Sequence, residues 1–292
     1  MVPYMQSLRL IFKRLAYWII PVGVSDRVLA GLWFIYALAP SKRRALKINR
    51  ELFNRHAGAR CFILATGPSI RSQNLKLLKD EFCISVSNCF VHPDYALIKP
   101  AYHCMASYHP PITEEGWRGW MKETAARTGD STLFFGLQDL KRNQRDGVFS
   151  GRSVYYLGGG ALVDPLIRRK VDLAKPIVGP ASVTVMAIQV ALYLGFKRIY
   201  LLGCDHDWIL HIGQSAHCYD EKEHALVMSG YNEWGNTDLE SEFVTGASLW
   251  HQYKAIRRIA NNDCVEIFNA TSGGLLDVFP RVKYESLFGQ NK

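Results

Sequence analysis

From residue 60 onward the chain alternates between two hydrophobic patterns. Short apolar runs of strand character, "RCFILA", "FCISVS", "AYHCMA", "TLFFG", "SVYYL", "RIYLL" and "CVEIF", are separated by stretches with helical spacing at 71 to 79, 114 to 126, 181 to 194 and 245 to 261. This alternation predicts an α/β fold with a mainly parallel sheet and helices on both faces. The stretch 204 to 244 breaks the pattern: it is rich in His, Asp, Glu, Trp and Gly and has no clear period. Long irregular segments of compact domains are often functional, so a lid over a site is expected there.

Before residue 60 the pattern is of another kind. "LRLIFKRLAYWII" sets Leu8, Ile11, Phe12, Leu15 and Ile19 at helical spacing, with Arg9, Lys13 and Arg14 towards another face. Pro21 ends this helix, and "VLAGLWFIYALA" then runs apolar from Val28 up to "PSKRR". A bilayer span needs about 20 apolar residues, so neither piece crosses alone. Together they read as a monotopic anchor, with Trp18, Trp33 and Tyr36 at headgroup level and Lys42, Arg43 and Arg44 on anionic lipid. The other reading is that these helices cap the core. No small-residue cleavage site follows, which argues against a signal peptide.

Charge sharpens this division. The net charge is +9, and residues 1 to 60 hold eleven Lys and Arg against Asp26 and Glu51, leaving 24 basic and 24 acidic residues beyond them. A basic segment attached to a neutral body points to an anionic membrane surface ahead of nucleic acid, and no nucleic-acid partner is expected. At 292 residues and 48% hydrophobic, the chain can bury a large core. The expected organisation is a basic helical membrane-associating segment at 1–59 and a catalytic domain at 60–292 with its lid at about 204–244. Seven scattered cysteines without a Cys-x-x-Cys pair favour reduced thiols in a cytosolic compartment.

Candidate chemistry gathers where the strands end, because ligands of open α/β sheets bind beyond the carboxyl ends of the strands. In "LATGPSI", Gly67 permits a tight turn, Pro68 suits a helix start, and Thr66 and Ser69 offer hydroxyls to a ribose or phosphate. The same turn is also a plain N-capped helix start. Asn88 ends the second strand, Ser107 and His109 follow the third, and Ser182 opens a long helix after Gly179. Asn269, Thr271 and Ser272 follow the last strand. No G-x-G-x-x-G and no Walker lysine is present, which argues against a dinucleotide or P-loop site.

The G-P-S turn, the S-N of the second strand, the small-residue helix start and "LGFKRIYLLGCDHD" together resemble the bacterial sialyltransferases of glycosyltransferase family 42. They also resemble the Rossmann-like domains grouped with pterin diphosphokinases. The resemblance covers about residues 60 to 280 and implies a Rossmann-like nucleotide-sugar-binding domain, a CMP-sugar donor, inverting transfer, a histidine base and no required metal. It carries the nucleotide loop onto Gly67, Pro68 and Ser69, with Thr66 where the family has Asn, and the second-strand Asn onto Asn88. Ser182 falls at the third donor-contacting turn, where "GPASV" replaces the family's Arg and Thr-Ser-Gly pattern. His217 of "SAHCYD" falls where the family has a phosphate-binding Tyr, and His251 is the histidine nearest the family's catalytic base.

The segment "CDHDWILHIGQSAHCYDEKEH" places His206, His211, His217 and His224 among Asp205, Asp207 and Asp220. A histidine suits a base or phosphate donor near neutral pH, and His217, His251 and Asp205 are the candidate catalytic residues. D-H-D also resembles the D-x-D element of metal-dependent glycosyltransferases, although neighbours in an extended segment point to opposite faces. A solvated polar loop is the third reading. The expected function is a glycosyltransferase using a sialic acid- or Kdo-like CMP-sugar on a glycan or glycolipid acceptor of the bacterial surface. It would act from the cytoplasmic face of the inner membrane, with no cofactor; magnesium or manganese stays open, as does a homo-oligomer. The rivals are an ATP-dependent phosphotransferase with magnesium on Asp205 or Asp207, and a non-catalytic nucleotide-binding protein of a glycan assembly complex.

Overall fold

A computed structural model describes the chain at residues 31–32, 35–159, 170–177, 179–211, 217–218 and 238–289. Each of the seven apolar runs forms a strand: β1 Arg60–Leu64, β2 Cys83–Val86, β3 Tyr102–Cys104, β4 Thr132–Gly136, β5 Val154–Leu157, β6 Arg198–Leu202 and β7 Glu266–Asn269. They build one sheet in the order β5-β4-β3-β2-β1-β6-β7, and every neighbouring pair is parallel. The fold is Rossmann-like α/β.

Alternation along the strands divides the core. Cys61 and Ile63 of β1 join Ile84, Ile199 and Leu201 on one face, while Phe62 and Leu64 join Leu133, Phe135 and Leu202 on the other. Strands buried on both faces read as continuous apolar runs, which is why they are so visible in the sequence. Among the described residues the helices longer than a single turn are α1 Pro40–Ile48, α2 Glu114–Arg127, α3 Leu140–Asp146, α4 Val183–Leu194 and α5 Leu239–Asn262. Val185, Ile188 and Ala191 of α4 and Tyr253 and Ile256 of α5 cover the first face. Trp117, Trp120 and Met121 of α2 cover the second. Thr113, Ser182 and Asp238 cap the amino ends of α2, α4 and α5 by accepting backbone N–H groups.

Two differences from the sequence pattern have identifiable causes. The helix expected at 71 to 79 is replaced by two 3-10 turns, Pro68–Ser72 and Leu75–Leu78, separated by extended Gln73. Gln73 Nε2 donates to Ala270 O across the fold and Asn74 Oδ1 accepts from Lys76 N, so tertiary and capping bonds replace the helical ladder. Residues 40 to 59, grouped by charge with the N-terminal stretch, pack on the body. Leu46, Asn49 and Leu52 are buried, and Asn49 Nδ2 donates to Tyr156 O of edge strand β5 and to Leu173 O.

The amphipathic helix expected over residues 8 to 19 lies outside the described residues. Of the apolar stretch after it, Leu32, Ile35 and Leu38 are exposed, and Lys42 Nζ sits 2.8 Å above the Tyr36 ring. No helix among the described residues is long and apolar enough to cross a membrane. At the opposite edge of the sheet, Asn269 N donates to Pro280 O and Val282 N donates to Asn269 O, so residues 280 to 282 lie along the end of β7.

This topology fixes where a ligand can sit. From β1 the chain moves outward through β2 to β5, then returns to place β6 on the other side of β1. The loops leaving β1 and β6 therefore diverge, and the crevice between them is the usual ligand position of such sheets.

Candidate functional site

The chain leaves β1 through Ala65, Thr66 and Gly67 and leaves β6 through Gly203, Cys204 and Asp205. Ala65 N donates to Leu202 O and Gly67 N to Gly203 O, both at 2.9 Å, so the two exits run side by side for two residues beyond the sheet. Glycine is required at 67: a Cβ there would overlap the Asp205 carboxylate and lie 2.5 Å from Gly203 O. Gly203 itself has φ +65, a conformation disfavoured for other residues.

Asp205 holds the crevice together. Its Oδ2 accepts from Ser69 Oγ at 2.9 Å, its Oδ1 from Ser69 N at 3.3 Å, and its backbone O from Leu275 N at 2.7 Å. Burial raises its carboxyl above the usual range; the Ser69 hydrogen bonds oppose that shift and the Asp207 charge adds to it. Pro68 opens the turn that carries Ser69.

The three side chains of the D-H-D triplet point to different partners, although the segment is not extended, since His206 is left-handed. Asp205 faces the β1 loop, Asp207 Oδ2 faces His211 Nε2 at 3.8 Å, and His206, at φ +50, puts its Nε2 2.7 Å from Tyr253 OH of α5. Burial pushes the His206 imidazole down to about 4, so it is neutral at neutral pH. The Tyr253 hydroxyl lies near Ser182 and Thr184 at the start of α4. Gln252 ties the loop before α4, accepting from Ala181 N and donating to Gly179 O, each at 2.7 Å.

His217 stands on the far wall of the β1 loop, its Nδ1 3.3 Å from Thr66 Oγ1. Cys218 N donates to Thr66 O at 2.7 Å, and Arg71 Nε donates to Cys218 O at 2.6 Å. Thr66, Gly67, Pro68, Ser69, Asp205 and His217, scattered in sequence, thus meet at one place. The rest of the expected lid falls mostly outside the described residues, His224 and Asp220 included.

The other expected residues are placed differently. Asn88 is at the end of β2 but buried, and its Oδ1 accepts from Trp120 Nε1 at 2.5 Å. Asn269 is wholly buried, accepting from Thr271 N and donating to Leu276 O, so its amide shapes the turn after β7. Ser107 is half-buried after β3. Ser182 caps α4 on the His206 and Tyr253 side of β6. His251 is exposed on α5; the residues flanking it, Trp250 and Gln252, bond to Asp277, Gly179 and Ala181.

Two residues escaped the sequence reading. Asp139 follows β4 and is wholly buried. Its Oδ1 accepts from Tyr108 N at 3.2 Å and pairs with Arg142 at 3.4 Å, its Oδ2 has no partner, and burial pushes its carboxyl up to about 6. "GLQD" at a strand end was the available signal, of the same kind as "GCD" after β6. Arg71 is the second, two residues beyond Ser69. Among the described residues no three His, Cys, Asp or Glu side chains come together in a way that could hold a metal ion. Six of the seven cysteines are buried and none is paired.

No protein-family model matches the chain, and no curated protein matches it. Among solved structures it is similar to the sialyltransferase CstII from Campylobacter jejuni, in complex with the substrate analogue CMP-3FNeuAc. The two are 14% identical with a TM-score of 0.41, over 77% of this chain and 86% of that one, a degree of likeness that carries no functional argument.

Proposed function

We propose that the protein transfers a sugar from a nucleotide-activated donor, with CMP as the nucleotide and an acidic sugar as the group moved. The observation that carries this reading is the meeting of Thr66, Ser69 and His217 beyond the carboxyl ends of β1 and β6, around a turn fixed by Asp205. The motif resemblance of the G-P-S turn and "LGFKRIYLLGCDHD" supports the choice of a CMP-sugar. Ser69 donates its hydroxyl proton to Asp205 and keeps acceptor lone pairs for a ribose hydroxyl. Asp205 positions that serine and, through Gly67, the loop on which the nucleotide rests. His217, beside Thr66, gives a hydrogen bond or a proton to the phosphate as negative charge develops on it.

The acceptor, in the same reading, is a glycan or glycolipid at the cytoplasmic face of a bacterial inner membrane. Exposed Leu32, Ile35 and Leu38, with Lys42 and the neighbouring Arg43 and Arg44, are the groups that would meet anionic lipid.

Thermal shifts with CMP, UDP, GDP and ATP, in magnesium and in EDTA, test the nucleotide. CMP is expected to raise the melting temperature most, equally in both conditions. Stabilisation by ATP alone, lost in EDTA, would favour the phosphotransferase instead. With a donor in hand, His217→Ala is expected to lower kcat by about 10² to 10³ while leaving CMP affinity near that of wild type. Undiminished kcat would remove His217 from the reaction.

A further inference from the structure

The crevice is lined by acidic groups, Asp205 and, on its flank, Asp207, while the ligand proposed for it carries a phosphate. A phosphate bound beside these carboxylates gains from a cation within reach, since like charges at close range repel. The basic side chains of the body are mostly engaged elsewhere. Arg281 donates to Thr271 O, Gly273 O and Gly274 O, closing the loop after β7. Arg142 and Arg145 bind Glu114 at the end of α2. Arg60 pairs with Glu81 beside the amino end of β1.

Arg71 differs from all of them. It is exposed and belongs to the turn that carries Ser69. One donor, Nε, is fixed at 2.6 Å on Cys218 O, and Cys218 N is fixed at 2.7 Å on Thr66 O. The guanidinium is thereby anchored to the segment that presents His217, on the same wall as the Thr66 hydroxyl. A guanidinium has five N–H donors, so the two terminal nitrogens keep four, and they have no further partner among the described residues. An arginine held by Nε, with its terminal fork open towards solvent, has the geometry that grips two phosphate oxygens at once.

We infer that Arg71 is the phosphate-recognising residue of this crevice: its terminal nitrogens bind the phosphoryl oxygens of the nucleotide, while the Cys218 carbonyl aims them. The inference rests on the nucleotide reading above and adds to it the group that separates a nucleotide from a nucleoside. It also gives the link from Arg71 to Cys218 a purpose, because the same link sets the distance between the arginine and His217.

Calorimetric titration of the full chain with CMP and with cytidine tests it. Wild type is expected to bind CMP at least tenfold more tightly than cytidine. Arg71→Ala is expected to lose on the order of 10- to 100-fold in CMP affinity and to bind cytidine as before. Arg71→Gln, which retains an N–H for the Cys218 carbonyl but no charge, should lose the same preference, and Arg71→Lys should recover part of it. Melting temperatures without ligand show which variants are folded; should Arg71→Ala not fold, Arg71→Gln decides. Equal losses for CMP and cytidine would make Arg71 a tether only and overturn the inference, as would a preserved preference in Arg71→Gln. A wild type that binds CMP and cytidine equally overturns it while leaving a nucleoside site, whereas a wild type that binds neither overturns the nucleotide reading itself.

Discussion

The sheet ends twice in a buried aspartate, and the two are used in opposite ways. After β6, Asp205 has both carboxylate oxygens on Ser69, and the residues around it, Thr66, Ser69 and His217, remain partly open to solvent. After β4, Asp139 is sealed: Tyr108 N and Arg142 hold one oxygen, the Arg142 guanidinium lies 3.8 Å over the Tyr108 ring, and the other oxygen has no partner. Composition does not distinguish the two ends, which share small residues, hydroxyls and histidines. Topology does. The strand order reverses at β1 and β6, and residues on the loop leaving β1 stay partly open to solvent, whereas the residues leaving β3 and β4 close on Asp139. A polar residue at a strand end can therefore stay accessible at the first place and is a brace at the second.

Glycine replacements should break this contrast most visibly. Gly67→Ala drives a methyl group into the Asp205 carboxylate and the Gly203 carbonyl. Since backbone blocks the way, it is expected to abolish CMP binding and to lower stability by about 3 kcal/mol or more in urea unfolding. Gly136→Ala, at the end of β4, meets the Ser107 hydroxyl and the end of the Gln138 side chain. Those groups can rotate away, so a loss of about 1 kcal/mol with unchanged CMP binding is expected. Equal effects of the two would erase the distinction.

The second test uses protons. The carboxyl of Asp139 is pushed up by burial from 3.8 to about 6, so the folded chain holds this proton more tightly than the unfolded one. Its contribution to stability therefore increases as pH falls from 7 through 6 towards 4, by about 2 kcal/mol over that range. Asp139→Asn should abolish that gain, read as the difference between variant and wild-type unfolding free energies at pH 7 and pH 4. A variant whose pH profile superimposes on that of wild type would mean that Asp139 is not held protonated.

Asn88→Ala tests the same contrast on the β2 side. It leaves the buried Trp120 N–H without its acceptor, so a stability loss of about 1 to 3 kcal/mol should appear with CMP affinity unchanged. A loss of CMP affinity in a folded Asn88→Ala would return this residue to the nucleotide rim, where the sequence pattern puts it.

The strands were legible because parallel strands buried on both faces leave unbroken apolar runs, as in "CFIL" and "IYLL". α2, α4 and α5 from residue 245 onward were legible from their periodicity, down to the Ser182 cap, but α5 begins at Leu239, so residues 239 to 244, read as part of an irregular lid, are helical behind the Asp238 cap. The segment 71 to 79 was not, because Gln73 bonds to Ala270, a partner far along the chain that no local pattern announces. The site divides in the same way. The Gly67 turn and the polar strand ends follow from composition, but the pairing of Ser69 with Asp205 and of Arg71 with Cys218 joins residues more than 130 positions apart. Asn88 and Asn269 are amides whose residue type suits a ligand and whose place at a strand end was legible, while their burial and their bonds to Trp120 and Leu276 were not.

The sheet's two borders also bear on how copies of this chain can associate. A strand left bare at its border is a template on which another chain can continue the ladder. Here the Asn49 amide occupies the Tyr156 carbonyl on one border, and residues 280 to 282 lie along Asn269 on the other. Polymerisation by strand addition would first have to strip both covers away. A fibrillar product built by strand addition should therefore form only once the turn that carries Asn49 or residues 280 to 282 have come loose.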